Sequence, residues 1–234
     1  MRESTIVIAV MCSLLARGCM PQSSQKREFS EEEYNRYCEA KEVALERLLG
    51  PMHNMVGHAV IPFGVTGGLV DTYYFPNGIP GTGFATMELI EPDGSGPKPN
   101  RIGTYELVMF TKLKMPPSDR QSDPNDPFTR IMHRTCRIMT AIGLYGRDAV
   151  LNPGETCEAP AYEGEPSFYL IFDEYRKDGV GFEINGQKHC LLLCIEVFRS
   201  EMEYAMRNGS AVVLKQLKET GHYPYSDLNR APVF

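Results

Sequence analysis

The feature that most constrains the fold is an unbroken apolar run, Leu-Leu-Leu-Cys-Ile, at residues 191–195 within the longer segment 182–198. A run without the apolar-polar alternation of a half-exposed strand indicates a strand covered on both faces. Such a strand needs neighbouring strands on either side and other elements above and below it. The chain is therefore expected to build a sheet around residues 182–198 and to pack helices against that sheet.

Helix-capping residues predict one helix before the sheet region and another within it. Ser30 and Glu33 form a capping box, in which each side chain satisfies a free N–H group at the start of a helix. The helix that they begin is expected to end at Gly50, which is followed by proline. Asp126, also followed by proline, predicts a second helix whose apolar stripe ends at Gly143.

Strands are predicted in the middle of the chain and short helices near its end. The strand-like segments are 58–75, 83–90, 101–112, 167–175 and 182–198, and the helical ones are 200–208 and 210–220. The 21 glycines and 17 prolines favour many turns between short elements over a long helical bundle. The predicted fold class is α+β, with a mixed, largely antiparallel β-sheet flanked by helices.

Composition and charge narrow the classes of partner. Because 42% of the 234 residues are hydrophobic, the chain can bury a substantial core. Residues 30–234 show no internal repeat and no low-complexity linker, so they are assigned to one domain. A formal net charge of -6 provides no basic surface for phosphate groups, so we expect no nucleic-acid partner and no attraction to an anionic membrane.

The N-terminal residues 1–19 have the pattern of an export signal. Arg2 is followed by an apolar run at 6–11 that is too short to span a bilayer as a permanent helix. The stretch 15–19 resembles a lipobox ending at Cys19, although Arg17 departs from its usual small or apolar residue. We therefore expect an exported protein of the cell envelope, tethered by polar residues 20–29 and reaching a membrane only through a lipid on Cys19. A soluble secreted protein cut nearby is the alternative.

Motifs of enzymatic chemistry are missing from the sequence. It contains no G-x-S-x-G elbow, H-E-x-x-H pair, P-loop or paired C-x-x-C. His53 and His58 lack the spacing of metal ligands, and adjacent His189 and Cys190 would point to opposite faces of a strand. Cys190 and Cys194 are expected to be small buried hydrophobes. The chain is accordingly predicted to be non-enzymatic, without cofactor or metal.

Two alternatives to a binding protein remain open. One is a hydrolase that uses Glu106 or Asp71 with a histidine such as His133, and the other is a structural envelope lipoprotein. A further pattern is the row Arg130, Arg134 and Arg137, which would form a basic stripe on the second helix. Such a stripe is either a solvated face or a surface that docks an acidic segment of a partner.

Six short motifs follow one another between residues 70 and 230. They are 70–73 (Val-Asp-Thr-Tyr), 84–89 (Phe-Ala-Thr-Met-Glu-Leu), 105–108 (Tyr-Glu-Leu-Val), 200–203 (Ser-Glu-Met-Glu), 213–217 (Val-Leu-Lys-Gln-Leu) and 227–230 (Asp-Leu-Asn-Arg). Together they resemble the Suppressor of fused (SUFU) domain family in its bacterial form. The chain departs from the family at residues 91–93, Glu-Pro-Asp, where a Ser-Asp pair is usual, and it has no counterpart to the second half of the animal protein.

The resemblance implies a SUFU-like domain that binds another protein without catalysis. For bacterial members the partner is often a toxin that an immunity protein neutralises, and the animal member accepts an extended peptide segment beside a strand. The residues on the resembling motifs, expected to contact the partner, are Asp93, Tyr105, Glu106, Asp227 and Arg230. For Asp227 and Arg230 the alternative is a charge-assisted pair that pins the C-terminus to the core.

Overall fold

The structure, a computed structural model, describes residues 6–7, 29–63, 65–116, 123–160 and 166–234. Its four helices are α1 (Glu31–Leu49), α2 (Pro127–Tyr145), α3 (Arg199–Asn208) and α4 (Ser210–Glu219). Its strands are β1 (Ile6–Val7), β2 (Val56–Gly57), β3 (Thr72–Phe75), β4 (Thr82–Ala85), β5 (Tyr105–Thr111), β6 (Thr156–Ala159), β7 (Phe168–Glu174), β8 (Phe182–Ile184) and β9 (Gln187–Glu196).

The strands form one mixed sheet in the order β1-β6-β7-β9-β5-β4-β3-β2, and β8 pairs with β9 off this path. Only the β1–β6 and β5–β9 pairs are parallel among the described strands, and all the others are antiparallel. The predicted α+β class with a mixed, largely antiparallel sheet is confirmed. The apolar run at 191–195 lies in β9, between β7 and β5 at the centre of the sheet, as predicted.

Helices cover both faces of the sheet. Side chains along β9 alternate between two buried clusters: Leu191 and Leu193 lie in the first, and Leu192 and Cys194 in the second. The first cluster includes apolar side chains of α1, α3 and α4, and the second includes those of α2. The sheet is thus the middle layer, with α1, α3 and α4 on one face and α2 on the other.

The predicted start of α1 is confirmed. The Ser30 hydroxyl oxygen accepts a hydrogen bond from the Glu33 backbone N–H, and the Glu33 carboxylate accepts one from the Ser30 backbone N–H. The helix ends before Gly50, whose φ of 84° lies in the left-handed region that favours glycine. The predicted helices α3 and α4 are likewise present, and Gly209, with a φ of 90°, separates them.

The predicted end of α2 at Gly143 is wrong, because the helix continues to Tyr145. Gly143 is buried inside the helix, where a Cβ would lie 3.2 Å from the Phe63 ring and 3.3 Å from a methyl group of Leu89. The glycine therefore permits a close approach of a neighbouring loop rather than ending the helix.

Three strand predictions also differ from the structure. Residues 182–198 form a hairpin rather than one strand, because Asn185 and Gly186, with φ of 51° and 79°, make a two-residue turn between β8 and β9. Residues 58–63 and 65–71 lie in loop structure with one isolated bridge, Pro62–Leu69, instead of the paired strands that were predicted. The strand predicted at 83–90 stops at Ala85, and β6 was not predicted.

Of the N-terminal segment, only Ile6 and Val7 are described, and they pair with Cys157 and Glu158 of β6. The predicted cleavage region, Cys19 and the predicted tether up to residue 28 lie outside the described residues. Among the helices that the structure describes, none combines the length and apolarity needed to cross a bilayer. The five described cysteines are unbridged, and the predicted burial of Cys190 and Cys194 is confirmed.

Candidate functional site

A buried ion pair joins α1 to the middle of the sheet. Lys41 Nζ lies 2.9 Å from Glu106 Oε1, and their side chains are only 2% and 0% exposed. Lys41 also donates to the backbone carbonyl groups of Met87 at 2.7 Å and Ile90 at 2.6 Å. Glu106 in turn accepts from the Thr86 hydroxyl at 2.6 Å and from the Ile90 backbone N–H at 3.0 Å. All three ammonium protons of Lys41 thus have acceptors inside the protein.

Tyr105 points to the opposite face of the sheet from Glu106 and is also completely buried. Its hydroxyl lies against Gly146, the residue that follows α2, where a Cβ would be only 2.0 Å from it. Burial raises the pKa of the Tyr105 hydroxyl well above its ordinary value. In this conformation a partner can reach neither Tyr105 nor Glu106, because both are completely buried. Their contacts join the sheet to the helices. A role in binding stays a prediction for both.

The C-terminal segment, residues 222–234, fills a gap between β5 and β9. The parallel pairing of these strands extends from Tyr105–Cys190 to Val108–Leu193 only. Beyond it, the Ser226 backbone N–H donates to the carbonyl group of Phe110 in β5 at 2.8 Å. The Ser226 hydroxyl bonds to the backbone of β9 at residues 194 and 196, at 3.2 and 3.1 Å. Ser226 therefore bridges the two strands where they no longer bond to each other.

Asp227 and Arg230 fasten the same segment at two separate places. Asp227 accepts from the Thr111 hydroxyl at 2.5 Å and from the Lys112 backbone N–H at 2.7 Å. Arg230 forms a bidentate pair with Glu201 of α3, at 2.5 and 2.8 Å. The two residues pin the C-terminus as the structural alternative expected, but each does so through its own partner rather than through a bond to the other.

The five residues predicted to contact a partner do not converge on one site. Asp93 lies in an exposed turn, where its side chain accepts from the Ser95 backbone N–H at 2.8 Å. Glu106 lies near the start of β5, Asp227 binds the end of that strand, and Arg230 contacts α3. Glu106, Asp227 and Arg230 therefore join separate elements of the fold in this conformation, whereas Asp93 makes a local contact in its turn.

A surface cluster that the sequence did not indicate brings His58, Asp71 and Glu88 together. His58 Nδ1 lies 2.8 Å from Asp71 Oδ2, and the histidine side chain is 71% exposed. The second Asp71 oxygen accepts from the Ala59 backbone N–H at 2.8 Å, and the Asp71 backbone N–H donates to Glu88 at 2.6 Å. Burial raises the pKa of the Glu88 carboxyl to about 7. His133, the histidine considered with Glu106 or Asp71 for the alternative hydrolase, lies on the exposed side of α2.

The predicted basic stripe of α2 is interrupted at Arg134. Its guanidinium Nε donates to both carboxylate oxygens of Glu196, at 2.8 and 3.1 Å, and stacks 4.7 Å from the centre of the Phe168 ring. Arg130 is exposed, whereas Arg137 lines a small cavity. Only part of the stripe therefore faces solvent.

The described residues hold no group of three or more His, Cys, Asp or Glu side chains placed to bind a metal ion. His58 has a carboxylate partner, and buried His189 lies 2.8 Å from the Thr104 hydroxyl through Nδ1. Burial lowers the pKa of His189, with the Lys41 ammonium group acting in the same direction. Both imidazoles thus have a hydrogen-bonding role without a metal.

Comparison with known proteins relates the fold, but not the sequence, to a solved structure. The sequence matches no protein family and no curated protein. The structure is similar to a chain of "the Sufu-Fu complex crystal structure", with a TM-score of 0.53 and 15% sequence identity. The similarity covers 86% of this chain and 92% of that chain. The chain therefore has a SUFU-like α+β fold, while membership of the bacterial branch stays a prediction.

Proposed function

We propose that the chain is a non-enzymatic domain that binds another protein. The observation that carries the proposal is the likeness, over nearly the whole length of both chains, to a chain from a solved complex of two proteins, Sufu and Fu. A fold alone can host several functions, so the proposal is tested by partner binding and by the fate of the partner.

The placement of the buried acidic side chains supports this proposal. Glu106, Glu196 and Glu201 each pair with a lysine or arginine, and Asp227 caps the end of β5. All four are buried. A general acid or base has to come within hydrogen-bonding reach of its substrate, which these side chains do not offer in this conformation.

A hydrolase is the second candidate, because His58 and Asp71 form a carboxylate-imidazole pair at 2.8 Å. Such a pair can orient a histidine for proton transfer. The nearby thiol of Cys136 is poorly suited as a nucleophile, since burial raises its pKa and favours the protonated form. We therefore rank this candidate below protein binding.

The deciding experiment uses the purified full-length chain as immobilised bait in an extract of its source organism. We expect one captured protein that excess untagged chain competes away, that binds at one-to-one stoichiometry by calorimetry, and that keeps its mass after prolonged incubation. Cleavage or modification of the captured protein, abolished by His58→Ala, would establish the hydrolase instead. If competition removes no specific protein, the binding proposal fails.

We further propose an immunity-type or regulatory role, in which the domain sequesters a toxin or an extended peptide segment of its partner. The support is the motif resemblance, and strand addition is a physically suitable mode for a sheet protein. A toxin gene beside this one, and protection of toxin-expressing cells by the chain, would identify that role. Co-expression without protection would exclude it for that toxin.

For location, we propose export and lipid attachment at Cys19. Cells fed labelled palmitate should label the wild-type protein and leave a Cys19→Ser variant unlabelled, because only the thiol can carry the lipid. Equal labelling of both proteins, or of neither, would contradict lipidation. Fractionation with peptidoglycan and high abundance would indicate a structural envelope lipoprotein rather than a binding protein.

A further inference from the structure

The strand β6 (Thr156–Ala159) lies near one end of the sheet. On its inner side it pairs with β7 along its whole length. On its outer side, the part of the chain that the structure describes contributes only residues 6 and 7, which pair with Cys157 and Glu158 in parallel. A strand in this position presents backbone N–H and C=O groups to any extended chain that can pair with it. We call the outward backbone groups of residues 156–159 the β6 edge.

The pairing with β7 determines which backbone groups belong to this edge. The Glu155 carbonyl group accepts a hydrogen bond from the Phe172 backbone N–H at 2.9 Å, so residue 155 faces β7. In an antiparallel pair, every second residue bonds to the same neighbouring strand. Cys157 therefore also faces β7, whereas the N–H and C=O groups of Thr156 and Glu158 face outward.

Residues 6 and 7 show how the β6 edge holds an extended segment. In a parallel pair, a residue that faces the other strand bonds to the two residues that flank its partner. Because Ile6 is in register with Cys157, its backbone groups face Thr156 and Glu158. The next residue, Val7, turns its N–H away from β6. The edge thus accepts a segment in one register, through the backbone of every second residue.

The side chains of β6 predict which residues an added strand would carry. Cys157 and Ala159 are buried in the cluster that includes apolar side chains of α2. Glu158 points to the other face of the sheet and is half-buried. An added strand therefore needs apolar residues opposite Cys157 and Ala159, and it can carry a polar residue opposite Glu158. Pro160 has no N–H to donate, so the edge ends there.

We propose that the β6 edge is a docking site for an extended apolar segment of the partner protein, which adds to the sheet as a parallel strand. This inference rests on the proposed binding function and assigns it a site and a binding mode. Backbone hydrogen bonds supply affinity in such a mode, and alternate side chains supply specificity.

The chain's own N-terminal segment provides the pattern of the ligand. Residues 5–10 are Thr-Ile-Val-Ile-Ala-Val, and five of these six are β-branched, which favours an extended strand. They belong to the predicted export segment, whose removal would leave the β6 edge open to the partner. A second copy of the chain suits the edge less well, because pairing two β6 strands would bring two Glu158 carboxylates into one short contact, where they repel each other.

The test uses a synthetic peptide of residues 1–10 and a full-length chain that carries Ile6→Pro. Proline removes the N–H through which residue 6 bonds to β6, so the tethered strand should leave the edge. We expect fluorescence anisotropy to show peptide binding to this variant. Binding to the wild type should be at least about tenfold weaker, because its tethered strand competes at a high effective concentration. Hydrogen exchange at the Glu158 backbone N–H of the variant should slow when the peptide binds.

Matched changes separate backbone pairing from other contacts. In the Ile6→Pro chain, Glu158→Pro should abolish peptide binding, whereas Glu158→Ala removes the same side chain, keeps the N–H and should preserve binding. Circular dichroism should show both variants folded, since the N–H that proline removes faces away from β7. A peptide methylated on the Ile6 nitrogen should bind at least about tenfold more weakly than the unmodified peptide. Methylation on the Val7 nitrogen should leave its affinity unchanged. The methylated peptides test the same bonds without altering the protein.

Two results overturn the β6 site directly. One is the absence of peptide binding to the Ile6→Pro chain, and the other is binding that is equally tight for both methylated peptides. Dimers of the Ile6→Pro chain in sedimentation, abolished by Glu158→Pro, overturn it in favour of a second copy.

The partner captured in the bait experiment provides the final check. It should bind the Ile6→Pro chain more tightly than the wild type, and excess peptide should displace it. A captured partner that responds to neither change overturns the β6 edge as its site but leaves protein binding established. If the bait captures no specific protein, the binding proposal fails, whereas the peptide result still decides whether the edge accepts a strand.

Discussion

Replacing Lys41 by methionine tests the buried ion pair that joins α1 to the sheet. The substitution keeps an unbranched apolar stem, shorter by the terminal nitrogen, and removes the charge and its three donors. Glu106 would then remain as a buried carboxylate without a cation, although the backbone N–H groups of Leu89 and Ile90 would still donate to it. The carbonyl groups of Met87 and Ile90 would lose their Lys41 donor.

The expected loss of stability is large. Removing one partner of a buried ion pair costs about 3–5 kcal/mol, mainly because the other charge stays buried and unpaired. If that cause is correct, Glu106→Gln in the Lys41→Met background should recover part of the loss, because it removes the unpaired charge. The carbonyl groups of Met87 and Ile90 would still lack their donor, at about 1 kcal/mol each, so the double variant should be about 2 kcal/mol less stable than wild type.

The measurement is urea-induced unfolding followed by far-UV circular dichroism, since the chain contains no tryptophan. Arg36→Ala is the control, because its pair with Glu32 is exposed and should contribute less than about 1 kcal/mol. A Lys41→Met variant within about 1 kcal/mol of wild type would refute the reasoning. So would a double variant no more stable than Lys41→Met, because the unpaired charge would then not be the cause.

Three further measurements check the site chemistry. Burial raises the pKa of Glu201, but the Arg230 guanidinium and backbone N–H donors outweigh burial and hold the pKa below its ordinary value. The ionised carboxylate therefore stabilises the fold, and Glu201→Gln should destabilise the protein above about pH 4.5 and progressively less below that pH. Burial raises the pKa of Glu88 to about 7. The wild type should therefore lose stability relative to Glu88→Gln as pH rises from about 4.5 through about 7. Free energies of unfolding that change in parallel with pH in the two proteins would contradict this. A thiol reagent should modify half-buried Cys38 faster than Cys194 in the folded chain, because Cys194 is completely buried and burial raises its pKa. Residue-resolved mass spectrometry measures the two rates, and faster modification of Cys194 would contradict the prediction.

Local signals predicted most of the elements. The capping residues Ser30 and Asp126 and the glycines at 50 and 209 act through neighbours in sequence, so their effect can be predicted without the tertiary structure. The turn at Asn185 is also a local signal, and an Asn-Gly pair is the strongest short-range sign of a hairpin, so this turn could have been predicted.

Other features depended on tertiary contacts. The strand predicted through residue 90 ends at Ala85 because the backbone N–H groups of Leu89 and Ile90 bond to Glu106 instead of to a neighbouring strand. The buried ion pair also depends on tertiary contacts, since Lys41 and Glu106 are 65 positions apart in the sequence. Nothing in the spacing of His58 and Asp71 indicates that they meet, because a loop between β2 and β3 brings them together.

The bridge that Ser226 and Asp227 make between β5 and β9 bears on how the protein is synthesised. Thr111 and Asp227 are separated by 116 positions, so the end of β5 forms its contact with Asp227 only after residue 227 has been added. Domains begin to fold during synthesis, and contacts between distant residues form slowly. A chain that lacks residues 226 and 227 would expose the unfilled gap between two central strands, and we expect proteases that remove incompletely folded proteins to degrade it faster. Residues 226 and 227 thus complete the centre of the sheet only after both strands that they join have been synthesised.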